Sequence, residues 1–154
     1  MASANLNLNK WPRPVTWVAV SVFAVDRLLK HLAINRGASD GGAISFGLFM
    51  NRGLAFSLPL PAWAMASALG AASLGLGCAV LLAWRKRPDL LPAFAFIGLG
   101  AASNLYDRLA HGAVIDYVVF FWGGSVNLAD AMIVGGLAWV VLTERRRTKE
   151  IEIN

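Results

Sequence analysis

Between Ser103 and Asp130 the chain reads SNLYDRLAHGAVIDYVVFFWGGSVNLAD. This stretch holds three aspartates, Asp107, Asp116 and Asp130, and repeats the pattern Asn-Leu-x-Asp at Asn104 and Asn127. Two carboxylates held close together cannot both ionise easily, so such a pair shares a proton. The ionised member can take a proton from water while its neutral partner polarises a carbonyl. That chemistry hydrolyses an amide without metal or cofactor, and neither is expected here. Asn104 and Asn127 each stand three residues before an aspartate, which puts amide and carboxylate on one helical face. Each asparagine is therefore expected to hold the rotamer of its own neighbour, Asp107 or Asp130.

Other hydrolytic chemistries lack their residues. A zinc peptidase of the His-Glu-x-x-His type needs two histidines and a glutamate on one helix. The histidines here are His31 and His111, and every glutamate (Glu144, Glu150, Glu152) lies in the C-terminal tail. Ser103 and Ser125 are near the aspartates, but no Gly-x-Ser-x-Gly is present. The single cysteine, Cys78, permits neither an internal disulfide nor a cysteine metal cluster, and it reads as a small buried hydrophobe.

The elements that must position these groups are membrane spans. The 154 residues are 57% hydrophobic and 15% charged, against about 25% charged in a soluble domain. Four apolar segments, at about 15–34, 62–84, 90–110 and 126–143, approach the ~20 residues a bilayer requires. They predict one integral membrane domain covering residues 1–154: an all-α bundle of four transmembrane helices. The intervening segment, about 35–61, alternates apolar and small residues from Ile44 to Leu48 and carries a turn signal at Asn51-Arg52-Gly53. It predicts a small extracytoplasmic β-hairpin or sheet, with a second strand beginning at Ala55-Phe56-Ser57. The polar tail after Thr143 is expected to fray.

Basic residues orient the bundle. Lys10, Arg13, Arg85, Lys86, Arg87, Arg145, Arg146, Arg147 and Lys149 fall on one side, and Arg36, Arg52 and Arg108 on the other. The positive-inside rule then puts both termini in the cytoplasm. The net charge of +5 belongs to these membrane flanks, and no nucleic-acid partner is expected. With a rise of about 1.5 Å per residue, Asp130 lies about 6 Å below the outer interface and Asp116 lies at it. Asp26 and Lys30, at i and i+4, are expected to neutralise each other as a structural pair. Asp107 adjoins Arg108 in sequence but cannot face it on a helix, so its expected role is helix packing or indirect organisation of Arg108. Asp116 and Asp130 have no cation at helical spacing. An ionisable group at such depth costs about 2.5–3.5 kcal/mol on insertion scales, so by default it marks a site.

In order, spacing and topological position, five short motifs resemble the bacterial lipoprotein signal peptidases (signal peptidase II). They are Asp26-Arg-Leu-Leu-Lys30, Asn51-Arg-Gly-Leu-Ala-Phe-Ser57, Asn104-Leu-Tyr-Asp-Arg108, Val114-Ile-Asp-Tyr117 and Asn127-Leu-Ala-Asp130. The resemblance implies an aspartic endopeptidase of the bacterial inner membrane with Asp116 and Asp130 as its catalytic dyad and its active site toward the outer face. It implies that Asn51, Asn104, Asp107, Arg108 and Asn127 line or brace the site. The implied partners are membrane lipid and a prolipoprotein whose cysteine carries diacylglycerol, cut just before that cysteine. The outer loop would be the family's small sheet that cradles substrate. Its apolar side chains Phe46, Leu48, Phe49 and Phe56 are expected to close over the site and exclude bulk water, with simple interfacial anchoring as the alternative.

Four residues depart from the family pattern. Ser103 stands where glycine is usual, Arg27 where glutamine is usual, Tyr117 where phenylalanine is usual and Val126 where phenylalanine is usual. Ser103 is expected to crowd a helix contact, and none of the four removes a catalytic group. The alternatives are an inactive homologue, or a small membrane carrier whose aspartates bind protons or cations. A carrier would often show inverted repeats and broken helices, and neither is present.

Overall fold

The computed structural model describes residues 13–38, 42–53 and 61–153. Four helices dominate: α1 (Arg13–Arg36), α2 (Ala62–Lys86), α3 (Leu91–His111) and α4 (Leu128–Ile153). Among the described residues there are also three strands: β1 (Ile44–Asn51) after α1, then β2 (Val114–Phe120) and β3 (Ser125–Val126) between α3 and α4. The helices coincide with the four apolar segments of the sequence. A short 3-10 turn, Pro88–Leu90, separates α2 from α3. Gly112 ends α3 in the left-handed conformation, φ 73°, which a residue without a Cβ adopts freely.

The helices meet through small side chains. A Cβ at Gly100 would lie 2.5 Å from the Ala129 carbonyl oxygen, and one at Gly136 would lie 2.7 Å from that of Ala93. The backbones of α3 and α4 therefore approach too closely for any larger residue at these points, as in small-residue membrane packing. Ala19, Ala33, Ala93 and Ala129 are fully buried.

α2 is different. Trp63, Leu74, Leu81 and Leu82 are exposed on it. Cys78 is exposed too, which corrects the expectation of a buried position: a helix this apolar turns much of its surface outward. Trp63–Lys86 is the one helix among the described residues that is long and apolar enough by itself to cross a membrane.

The sheet also differs from expectation. β1 pairs antiparallel with β2, with Asn51 opposite Val114 and Phe49 opposite Asp116. β2 pairs antiparallel with β3, giving the order β1-β2-β3. The strand expected at Ala55–Ser57, and Phe56 with it, lie outside the described residues. The partner of β1 is instead the run VIDYVVF, rich in the β-branched and aromatic residues that suit a pleated surface. The tail does not fray at Thr143 either. α4 continues to Ile153, over residues such as Glu, Arg and Lys that are good helix formers. Arg87 bridges Glu144 on this extension and Asp89 in the 3-10 turn. That partner holds the Asp89 carboxyl below its ordinary range.

Candidate active site

The floor of the site is a buried ionic cluster. Asp26, Lys30 and Asp107 are fully buried. The Lys30 ammonium lies 3.2 Å from Asp26 and 2.7 Å from Asp107. The i, i+4 pair expected within α1 thus exists, but Lys30 is shared. Of the two roles expected of Asp107, the structure shows helix packing, and among the described residues Asp107 makes no ion pair with Arg108. Its partners are Lys30 and Arg27, both from α1, and the Ile115 backbone N–H at 3.3 Å. Arg108 turns away and donates to the Gly53 carbonyl at 3.0 Å. Lone buried charges are prohibitively costly, so each must find opposite charge and hydrogen bonds. Among the described residues no buried side-chain nitrogen or oxygen lacks a partner.

The asparagines brace crosswise. Asn104 Nδ2 donates to Asp130 Oδ1 at 2.8 Å, not to Asp107, while Asn104 Oδ1 accepts from Lys30 at 2.8 Å. Asn127 Nδ2 donates to Asp116 Oδ1 at 2.6 Å. The side chain of Asn127 meets Asp130 only at the backbone, accepting its N–H at 2.9 Å. Helical spacing puts an asparagine and the aspartate three residues on along one face. It does not decide which carboxylate the amide reaches, and Asp107 is already taken by two cations. Asp116 also accepts from Asn51 Nδ2 at 3.2 Å and from Ser125 Oγ at 2.7 Å.

Ser125, which the sequence offers only as a serine without a nucleophile motif, is a brace of Asp116; a hydroxyl in a two-residue strand carries no periodic signal for that role. Ser103 does not merely crowd a helix contact. It donates to Asp26 at 2.6 Å and accepts from Lys30 and Arg27, both at 3.2 Å. Phe46 packs against the Tyr117 ring, with centroids 5.8 Å apart.

Above this floor opens a cavity of about 980 Å³. Asn51, Asn104, Arg108, Asp116, Asn127 and Asp130 all line it. Its apolar walls include Leu69, Leu76, Ile97 and Val134. One face of α2, from Leu69 to Gly77, closes one side. The expected site residues on β1, α3, β2 and α4 therefore converge, with one exception. Asp107 lies outside the cavity lining, in the ionic cluster with Asp26 and Lys30.

Residues 18–145 match the family described as Signal peptidase (SPase) II. A lipoprotein signal peptidase of Brucella ovis is 41% identical over 141 residues, covering 83% of this chain and 87% of that one. That of Paraburkholderia phymatum is 37% identical over 151 residues, covering 88% and 90%. The fold is similar to a bacterial membrane enzyme solved by the in meso method at 2.3 Å. The TM-score is 0.74 at 17% identity, covering 91% of this chain and 92% of that one. The chain belongs to the signal peptidase II family.

The two kinds of ion pair predict different costs. Lys30→Met leaves two buried carboxylates without their shared cation and should destabilise the fold by about 3–5 kcal/mol. Arg87→Met breaks the solvent-facing pairs with Asp89 and Glu144 and should cost far less, because water screens such pairs. Thermal unfolding of the purified protein in detergent measures both. Equal losses would contradict the structural role given to the buried cluster.

Proposed function

We propose that this signal peptidase II family member is an aspartic endopeptidase that uses Asp116 and Asp130 to remove signal peptides from prolipoproteins. One observation carries the reading: both carboxylates line one cavity, each touches Asn127, and among the described residues neither is in an ion pair. Asp26 and Asp107 are neutralised by cations; Asp116 and Asp130 are held by neutral amides and a hydroxyl. That environment orients a carboxylate without removing it from proton exchange.

The chemistry follows from the pair. The ionised carboxylate takes a proton from water as the water oxygen adds to the scissile carbonyl carbon. The protonated carboxyl donates a hydrogen bond to the carbonyl oxygen. As the C–N bond breaks, a proton passes to the departing amine nitrogen. Asn51, Asn104, Asn127 and Ser125 hold the two carboxylates in place, and Arg108 borders the cavity as a fixed positive charge.

The substrate is a prolipoprotein with a diacylglyceryl cysteine, and cleavage falls just before that cysteine. The apolar walls of the cavity suit acyl chains and a signal helix, and they limit bulk water around the carboxylates. The four helices span the bacterial inner membrane with both termini in the cytoplasm. The dyad lies toward the outer face, with Asp116 on the sheet and Asp130 in the first turn of α4.

Two experiments test this reading. In a Cys78→Ala background, cysteines introduced at Ala43 and at Lys86 should be labelled from opposite sides of the membrane. Labelling of both from one side would overturn the topology. In detergent, the purified protein should cleave a lipidated prolipoprotein far faster than the unlipidated precursor, and a chelator should change nothing. Asp116→Asn and Asp130→Asn should each abolish cleavage, with the double variant little worse than either, because the pair works as a unit. Substantial turnover in either single variant would mean that the wrong pair is assigned.

A further inference from the structure

The start of α4 is held in an unusual way. The first amides of any helix have no partner within it. Here every one from Asn127 to Asp130 finds a side-chain oxygen. Asn127 Oδ1 accepts from the Asp130 N–H at 2.9 Å, and Asp130 Oδ2 accepts from the Asn127 N–H at 3.2 Å, a reciprocal capping box. Between them, the Leu128 N–H donates to the Tyr117 hydroxyl at 2.8 Å and the Ala129 N–H donates to Asp26 Oδ1 at 3.1 Å. Two caps are therefore local, and two come from β2 and α1.

Counting protons fixes the directions. The Tyr117 hydroxyl accepts from Leu128, so its single proton goes to Asp26 Oδ1, 3.1 Å away. Burial, together with the neighbouring Asp26 charge, pushes this phenol well above its ordinary range, so it remains a donor. The Ser103 hydroxyl donates its proton to Asp26 Oδ2 and accepts from Lys30 and Arg27. One carboxylate thus ties together α1, α3, β2 and the first turn of α4.

Tyr117 directly follows Asp116 on β2. Successive strand side chains point to opposite faces. Asp116 lines the cavity while Tyr117 meets the ionic cluster. Asp130 belongs to the helical turn whose first amide Tyr117 holds. The tyrosine therefore joins the strand that carries one carboxylate to the helix that carries the other. Glycine and phenylalanine, the residues that the family resemblance leads one to expect at these two positions, would supply neither hydroxyl.

We propose that Tyr117 and Ser103 are positioning residues of the cleavage reaction: their hydroxyls clamp Asp26 onto the first turn of α4 and set the placement of Asp130 relative to Asp116. The proposal rests on the dyad reading above. It makes the two departures from the family pattern one device, specific to chains that carry both hydroxyls.

The test uses the full chain in detergent. Tyr117→Phe, Ser103→Ala and the double variant are compared for kcat and KM on a diacylglyceryl-modified prolipoprotein. Amide hydrogen exchange is followed at Leu128 and Ala129. Each single variant should lower kcat by about ten-fold, the scale of one buried hydrogen bond, with KM nearly unchanged. The double variant should lose less than the product of the two, because both act through Asp26. Leu128 should exchange faster in Tyr117→Phe. Wild-type kcat per folded molecule, whatever the thermal midpoint, would reduce the pair to a structural role and overturn the proposal. Unchanged exchange at Leu128 would overturn the clamp itself. Should Tyr117→Phe fail to fold, kcat and KM of Ser103→Ala decide alone. Activity surviving in Asp116→Asn or Asp130→Asn would instead refute the dyad, and the exchange result at Leu128 would be unaffected.

Discussion

The Lys30 ammonium, fully buried between the carboxylates of Asp26 and Asp107, is the interaction on which the rest depends. A cation in such a place is tolerated only with opposite charge and hydrogen bonds on every side. Those partners come from α1 and α3, so satisfying one ammonium fixes the relative placement of two helices. Asp26 in turn accepts from the Ala129 amide, so α4 is recruited as well. Close contact at Gly100 and Gly136 brings α3 and α4 together beside this cluster.

The same cluster reaches the cavity. Lys30 holds the oxygen of the Asn104 amide, and the nitrogen of that amide holds Asp130. An amide has one acceptor end and one donor end, so with its oxygen turned to Lys30 its nitrogen must face the carboxylate. On the other side, Asn127 holds Asp116 with its nitrogen and the start of α4 with its oxygen. The two carboxylates that line the cavity are thus fixed by groups that are themselves fixed. Asp107 and Asp26, equally acidic by type, are consumed in making that support.

Much of this was legible in the sequence, because helices and their charges have periods. The apolar runs located the four helices, and the i, i+4 spacing found Asp26 with Lys30. What remained hidden joins distant segments. The partners of Asp107 lie on α1, and no helical spacing relates them. The crossed asparagines were misassigned because spacing reports a shared face, not which carboxylate an amide touches. β2 is not legible because its run VIDYVVF shows no strict alternation and its partner, β1, lies far away in sequence. Ser103 and Tyr117 were visible only as departures from a pattern, and their meaning needed the carboxylate on which both converge. Cys78 and the C-terminal turns of α4 were misread for a simpler reason: apolar surroundings do not guarantee burial, and polarity does not end a helix rich in Glu, Arg and Lys.

The buried charge cluster reaches Asp130, a member of the proposed dyad, through the neutral amide of Asn104, and that residue is where the support can be cut most cleanly. Turnover per folded molecule of Asn104→Ala on a lipidated prolipoprotein measures it directly. The account predicts a folded protein whose turnover falls by about ten-fold, the scale of one lost hydrogen bond, yet stays above that of Asp130→Asn. Wild-type turnover would show that Asp130 needs no support from the cluster and would contradict the account.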